Sequence, residues 1–152
     1  MSIHLRPTVD EYAMILAQAA ALRSEDPSRK VGAIALDKEN RVIATAYNGL
    51  PTGVDVADDW WQNDDKRLRF VVHAEANLCS LTRRGDVKTV AVTTVPCGAC
   101  ALNLVAHGVE RVLYGMPYPR DVSGIEILDQ YGVEVVNIPF KQIASYMTHI
   151  IS

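Results

Sequence analysis

Cysteine is scarce in this chain, and the few present exclude a disulfide framework. There are 3 in 152 residues, an odd number, and Cys97 and Cys100 lie only three positions apart. Such a pair fits a reducing compartment in which neighbouring cysteines bind metal, so a cytoplasmic protein is expected. No apolar run approaches the roughly 20 residues that span a bilayer. The first dozen residues lack an apolar leader core and turn acidic at once, so no membrane association or export is expected. Neither sign of charge dominates: 15 Lys and Arg stand against 18 Asp and Glu, for a net charge of −3. That balance argues against broad binding to nucleic acid or to anionic membranes. There is no repeat, low-complexity tract or linker. With 49% hydrophobic and 22% charged residues, the composition excludes a disordered or fibrous chain, and the length suits one core, so residues 1–152 are expected to form a single domain.

Helical and strand-like segments alternate from end to end. Thr8 and Glu11 have capping-box spacing, and Val9, Tyr12, Ala13, Leu16, Ala19 and Ala20 recur at helical intervals, so a helix is expected from Thr8 to Arg23. Val31–Asp37 and Arg41–Tyr47 are β-rich runs separated by three residues and predict a hairpin. Asn48-Gly49-Leu50-Pro51 predicts a turn. A long irregular segment, Thr52 to Arg69, carries five aspartates between Asp55 and Asp65 and the pair Trp60-Trp61, whose role is either packing or a lid. A helix is expected from His73 to Arg84-Gly85, a buried strand from Lys88 to Val95, and a helix from Cys97 to His107 closed by Gly108. Then follow a strand from Glu110 to Gly115, a helix from Ser123 to Tyr131, a strand from Val133 to Ile138 and a helix from Lys141 to Ile150. This order predicts an α/β fold: a three-layer α/β/α domain around a five-stranded mixed sheet, parallel apart from the opening hairpin.

Two short motifs carry the chemistry: His73-Ala74-Glu75 and Pro96-Cys97-Gly98-Ala99-Cys100. The second follows a strand and opens a helix. Cysteines at i and i+3 share one helical face, and backbone N–H groups at a first turn favour thiolates, the form that binds zinc. His73 completes a three-ligand set. Three protein ligands leave a fourth tetrahedral position open, which is the catalytic rather than the structural pattern of zinc. Glu75 lies about 200° from His73 on an ideal helix, so both address one metal only at the helix mouth. There the carboxyl suits an acid/base role beside zinc-bound water. A redox-active CxxC and a packed histidine are the plainer alternatives. Cys79 has no spaced partner and is expected in the core. His4, His107 and His149 are expected to be structural or on the surface.

The H-x-E and P-C-x-x-C pair is the signature of zinc nucleobase deaminases. Beside it stand Ser24-Glu25-Asp26-Pro27-Ser28-Arg29-Lys30-Val31-Gly32-Ala33, Tyr47-Asn48-Gly49-Leu50-Pro51 and the long insertion before His73. With these the chain resembles the deoxycytidylate (dCMP) deaminases of the cytidine deaminase superfamily, over about residues 8 to 138. The resemblance implies hydrolysis of dCMP to dUMP and ammonia, supplying dUMP for thymidylate synthesis. It implies zinc held by His73, Cys97 and Cys100, with Glu75 moving the protons as water attacks C4 of cytosine. It implies Asn48 at the sugar hydroxyl, Arg29 with Ser28 at the 5′-phosphate, and Tyr118 near the base. It also implies a homohexamer activated by dCTP and inhibited by dTTP with Mg2+, through a regulatory site at Tyr47, Asn48 and Gly49 roofed by the aspartate-rich insertion. The family's Gly-Tyr-Asn-Gly reads Ala46-Tyr47-Asn48-Gly49 here, which adds a Cβ where a backbone approaches a ligand. The short separation between the two zinc motifs implies a tight connection from the second helix to the third strand. The competing readings are a cytidine, guanine or pterin-like base deaminase, a tRNA adenosine deaminase, and a zinc-stabilised binding module.

Overall fold

The computed structural model describes residues 6–149, and the backbone alone at position 149. In chain order the elements are α1 (Val9–Ala21), β1 (Gly32–Leu36), β2 (Val42–Tyr47), a 3-10 turn (Asp58–Gln62), α2 (Asp64–Phe70), α3 (Ala74–Ser80), β3 (Thr89–Thr94), α4 (Gly98–Ala106), β4 (Arg111–Met116), α5 (Ser123–Gln130), β5 (Glu134–Asn137) and α6 (Phe140–His149). His4 and the end of the last expected helix at Ile150 lie outside the described residues.

The five strands form one sheet in the order β2-β1-β3-β4-β5. β1 is antiparallel to β2, and it is also antiparallel to β3; only β3-β4-β5 run parallel. The second antiparallel pair corrects the expectation that only the hairpin would be antiparallel. The crossover through α3 does join two parallel strands, β2 and β3. They flank β1 instead of pairing with each other, so the hairpin reversal places β1 antiparallel to both neighbours.

Side chains alternate across this sheet into two cores. One face buries Ala33, Ala35, Val90, Val92 and Val112 against Ala74 and Leu78 of α3, Ala101 and Leu104 of α4 and Leu128 of α5. The other buries Ile34, Leu36, Ala91 and Leu113 against Ala13, Met14 and Ala17 of α1 and Ile143 of α6. The expected three layers are therefore present. A Cβ on Gly32 would stand 2.0 Å from the Ala17 carbonyl oxygen, so only glycine lets α1 lie this close to β1.

Two elements differ from expectation. The segment from Thr52 to Arg69 holds the 3-10 turn and α2. Asn63 caps α2 by accepting the Lys66 N–H, Asp64 and Asp65 lie in its first turn, and Arg67 and Arg69 lie in its last. The helix after His73 stops at Ser80, short of Arg84-Gly85. Leu81 ends it, and Thr82 turns its hydroxyl to the Leu78 carbonyl and the His107 ring. The connection to β3 therefore runs over residues 81–88, longer than the tight connection expected, because the helix ends early.

Candidate active site

Both motif-bearing helices start at the carboxyl side of the sheet, and each starts on a ligand-type residue. His73 occupies the cap position of α3 and Cys97 that of α4, and neither side chain makes a capping hydrogen bond. Their side chains are thus free to point at each other. His73 Nδ1 lies 3.6 Å from Cys97 Sγ and 3.3 Å from Cys100 Sγ. The three donor atoms fall within 4.8 Å of one another, and among the described residues they are the one group of three such donors that converges. An imidazole and two sulfurs at these separations suit a tetrahedral zinc ion with a fourth position open to the cleft. The aspartates of the insertion form no comparable group among the described residues, so the expected Mg2+–triphosphate site has no converging donor cluster there.

Glu75 sits in the first turn of α3 and is 4% exposed. Burial pushes its carboxyl up to about 7. Cys97 is drawn down to about 4, first by hydrogen bonding from Cys100 and then from His73, which favours its thiolate form. The same pairing and burial hold the Cys100 thiol up, and hydrogen bonding to Cys97 raises His73. One negative sulfur and shared protons between the donors describe a site primed to exchange protons for a cation.

His73, Glu75 and Cys97 line a cleft of about 220 Å³, whose walls also include Ser28, Arg29, Asn48 and Tyr118. All four expected substrate residues therefore border the same space as His73, Glu75 and Cys97. The Arg29 guanidinium lies over the Tyr118 ring at 4.8 Å. Asp26 is buried and accepts the N–H groups of Ser28 (2.8 Å) and Arg29 (3.1 Å), which fixes their loop. Asn48 braces it from the other side: its Oδ1 accepts the Val31 N–H (2.9 Å) and its Nδ2 donates to the Arg29 carbonyl (2.8 Å).

Tyr47 and Gly49 have structural partners. The Tyr47 carbonyl accepts from Asn77, and Gly49 exchanges two backbone hydrogen bonds with Val72, next to His73. Ala46 is buried in the core cluster that includes Ala74 and Leu78 of α3. Trp60 and Trp61 pack edge to face, with ring centroids 5.0 Å apart, and do not line the cleft. The insertion reaches the cleft through α2 instead. Cys79 packs against the core but is only partly buried, short of the core position expected for it.

Sequence reasoning missed Arg67, Arg120 and Asp121. Arg67 and Arg120 line the cleft. Arg67 pairs with Asp26 (3.3 Å) and with Asp64, while its Nε is buried without a partner. The acidic first turn and basic last turn of α2 marked a helix, but nothing local marked Arg67 as facing the site.

Residues 7–116 match the family described as the cytidine and deoxycytidylate deaminase zinc-binding region. The deoxycytidylate deaminase of Mycobacterium phage D29 is 38% identical over 125 residues, covering 72% of this chain and 95% of that protein. The Saccharomyces cerevisiae deoxycytidylate deaminase is 32% identical over 151 residues, covering 91% of this chain and 47% of that one. The chain spans about half the length of the yeast relative and of a Caenorhabditis elegans one, at 47% and 53%. The crystal structure of the dCMP deaminase from cyanophage S-TIM5, in complex with dCMP and dUMP, superposes with a TM-score of 0.73 at 30% identity, covering 89% of this chain and 100% of that one. With both metal-donor helices inside the matched region, the chain belongs to the cytidine and deoxycytidylate deaminase family.

Proposed function

We propose that this chain is one zinc-dependent deaminase domain that hydrolyses dCMP to dUMP and ammonia. The observation that carries the reading is that Glu75, with His73 and Cys97 of the converging donor group, lines one cleft with three guanidinium side chains, Arg29, Arg67 and Arg120. A nucleobase fits the metal end, and a 5′-phosphate fits the cationic end. The likeness to phage deoxycytidylate deaminases supports the choice of substrate.

Zinc, which His73, Cys97 and Cys100 would hold, would supply Lewis acidity that makes water a nucleophile near neutral pH. The chain's own residues do the rest. Glu75 takes a proton from the attacking water on its carboxylate and delivers it to N3 of cytosine; it then takes the second proton from the hydroxyl newly formed on C4 and passes it to the amine, which leaves as ammonia as the C4 carbonyl forms. Burial suits it to this work, because a carboxyl lifted toward neutrality both holds and yields a proton. Arg29 and Ser28 receive the phosphate, with Arg67 and Arg120 adding charge. Asn48 keeps one amide N–H for a sugar hydroxyl after its two loop contacts. Tyr118 borders the base.

Homohexameric assembly, regulation by dCTP and dTTP with Mg2+ through Tyr47, Asn48 and Gly49, and a cytoplasmic location extend the same reading. The retained Tyr-Asn-Gly-x-Pro run supports the regulatory part, and the free cysteines support a reducing compartment. A sigmoidal dCMP curve that turns hyperbolic with dCTP and Mg2+ is the expected signature; hyperbolic kinetics unaffected by either triphosphate removes the regulatory part.

The deciding experiment incubates zinc-loaded protein separately with dCMP, CMP, dCTP, deoxycytidine and a tRNA anticodon stem, and measures ammonia release. The expected result is release from dCMP far above the others. Preference for deoxycytidine or the tRNA stem overturns the assignment.

A further inference from the structure

We propose that Asp121 is a positioning residue of this site: one carboxylate that locks the Cys97–Cys100 turn to the cleft loop after β4. The inference rests on the metal-site reading above and adds a residue outside either motif. Because Cys97 keeps its sulfur for the donor group, it cannot cap α4 in the usual way. Asp121 satisfies that helix end from a distant loop: its Oδ2 accepts the Gly98 N–H at 2.7 Å. Its Oδ1 accepts the N–H (2.9 Å) and the hydroxyl (2.6 Å) of Ser123 at the start of α5.

The contact between these helix starts has no slack. A Cβ on Gly98 would stand 2.5 Å from Ser123 Oγ, and one on Gly124 would stand 1.9 Å from the Pro96 carbonyl oxygen. The same loop carries Tyr118 and Arg120 into the cleft, and its turn closes by a bond from the Asp121 N–H to the Tyr118 carbonyl (3.3 Å). Asp121 therefore ties the metal-donor backbone, the start of α5 and two cleft side chains to one point. Metal–ligand distances tolerate only about ±0.2 Å. A small drift of the Cys97–Gly98 backbone is consequently felt at the sulfurs.

The test measures Zn2+ affinity by competition with a chromophoric chelator, and the absorption bands of the Co2+-substituted protein, for wild type, Asp121→Ala, Asp121→Asn and Ser123→Ala. Supporting partners of metal ligands are typically worth about 10–100-fold in affinity. Asp121→Ala is expected to fall in that range with shifted Co2+ bands. Asp121→Asn, which keeps one acceptor oxygen, is expected to recover part of the loss. Ser123→Ala leaves the Gly98 bond in place and is expected to stay within about threefold of wild type on the same scale. A folded Asp121→Ala with wild-type affinity and an unshifted Co2+ spectrum overturns the inference. If Asp121→Ala does not fold, Asp121→Asn decides by the same two readouts, and its failure to fold also overturns the inference in favour of a purely structural role. Wild-type protein that takes up no metal removes the metal-site reading together with the inference; wild-type uptake with unchanged variants removes the inference alone.

Discussion

Glu75 is the side chain at which chemistry can be separated from architecture. It is buried and lies in the first turn of α3, where an amide of similar size fits the same space. Glu75→Gln is expected to retain zinc and the melting temperature while losing about 10²–10⁴-fold in kcat, because an amide cannot carry the proton. Turnover near wild type would move the acid/base role elsewhere. Arg29 tests the other end of the cleft. Arg29→Ala should impair dCMP more than deoxycytidine, since a charge-assisted contact is worth about 1.5–3 kcal/mol and only the nucleotide carries the phosphate. Equal losses on both substrates would assign the phosphate to Arg67 or Arg120. The donor set and Glu75 were legible in the sequence because two short motifs hold them, and local spacing fixes which way they face. Arg67 and Asp121 were not, because their meaning lies in partners far along the chain, Asp26 for one and Gly98 for the other.

At the scale of elements, legibility followed local signals. The capping box of Thr8 and Glu11 is formed, and α1 begins at Val9. The hairpin pairs Gly32 with Tyr47 and Ala35 with Ala44. α2 escaped because Leu68 and Phe70 are exposed, so no apolar stripe announces the helix, although its cap and end charges do. The β1–β3 pairing could not be read locally, since it depends on which strand the crossover passes over. The contact between the starts of α4 and α5 is likewise tertiary, and Gly124 reports on it. Gly124→Ala places a Cβ against the Pro96 carbonyl and should cost about 1–3 kcal/mol of unfolding free energy, the usual range for overpacking, with weakened Zn2+ binding. Urea unfolding gives the first quantity and chelator competition the second. Wild-type values for both would mean that α5 can move off the metal turn freely.

Across the whole molecule, the two cores are joined by the sheet, and carboxylates tie the layers at their edges. Glu11 accepts from Thr8 on α1's own cap and from Gln142 and Tyr146 on α6. Asp37 closes the hairpin by accepting from Glu39 and Arg41. These hydrogen bonds hold both carboxyls below their ordinary values, led by the Thr8 N–H for Glu11 and the Arg41 N–H for Asp37. A depressed folded-state value means that the fold prefers the ionised form. The stability these groups contribute is therefore full above the unfolded values near pH 4 and is lost as pH falls through the lower folded values. Acid also strips metal by protonating His73 and the thiolates, so a falling melting temperature does not by itself identify the carboxylates. The double variant Glu11→Gln, Asp37→Asn isolates them. Its melting temperature should lie below that of wild type from pH 5 to 7, and the gap should narrow as the pH falls through the lowered folded-state values, where wild type protonates the same groups. Zinc release is common to both proteins and cancels in the difference. A gap that does not narrow on acidification would show that these carboxyls contribute no pH-dependent stability.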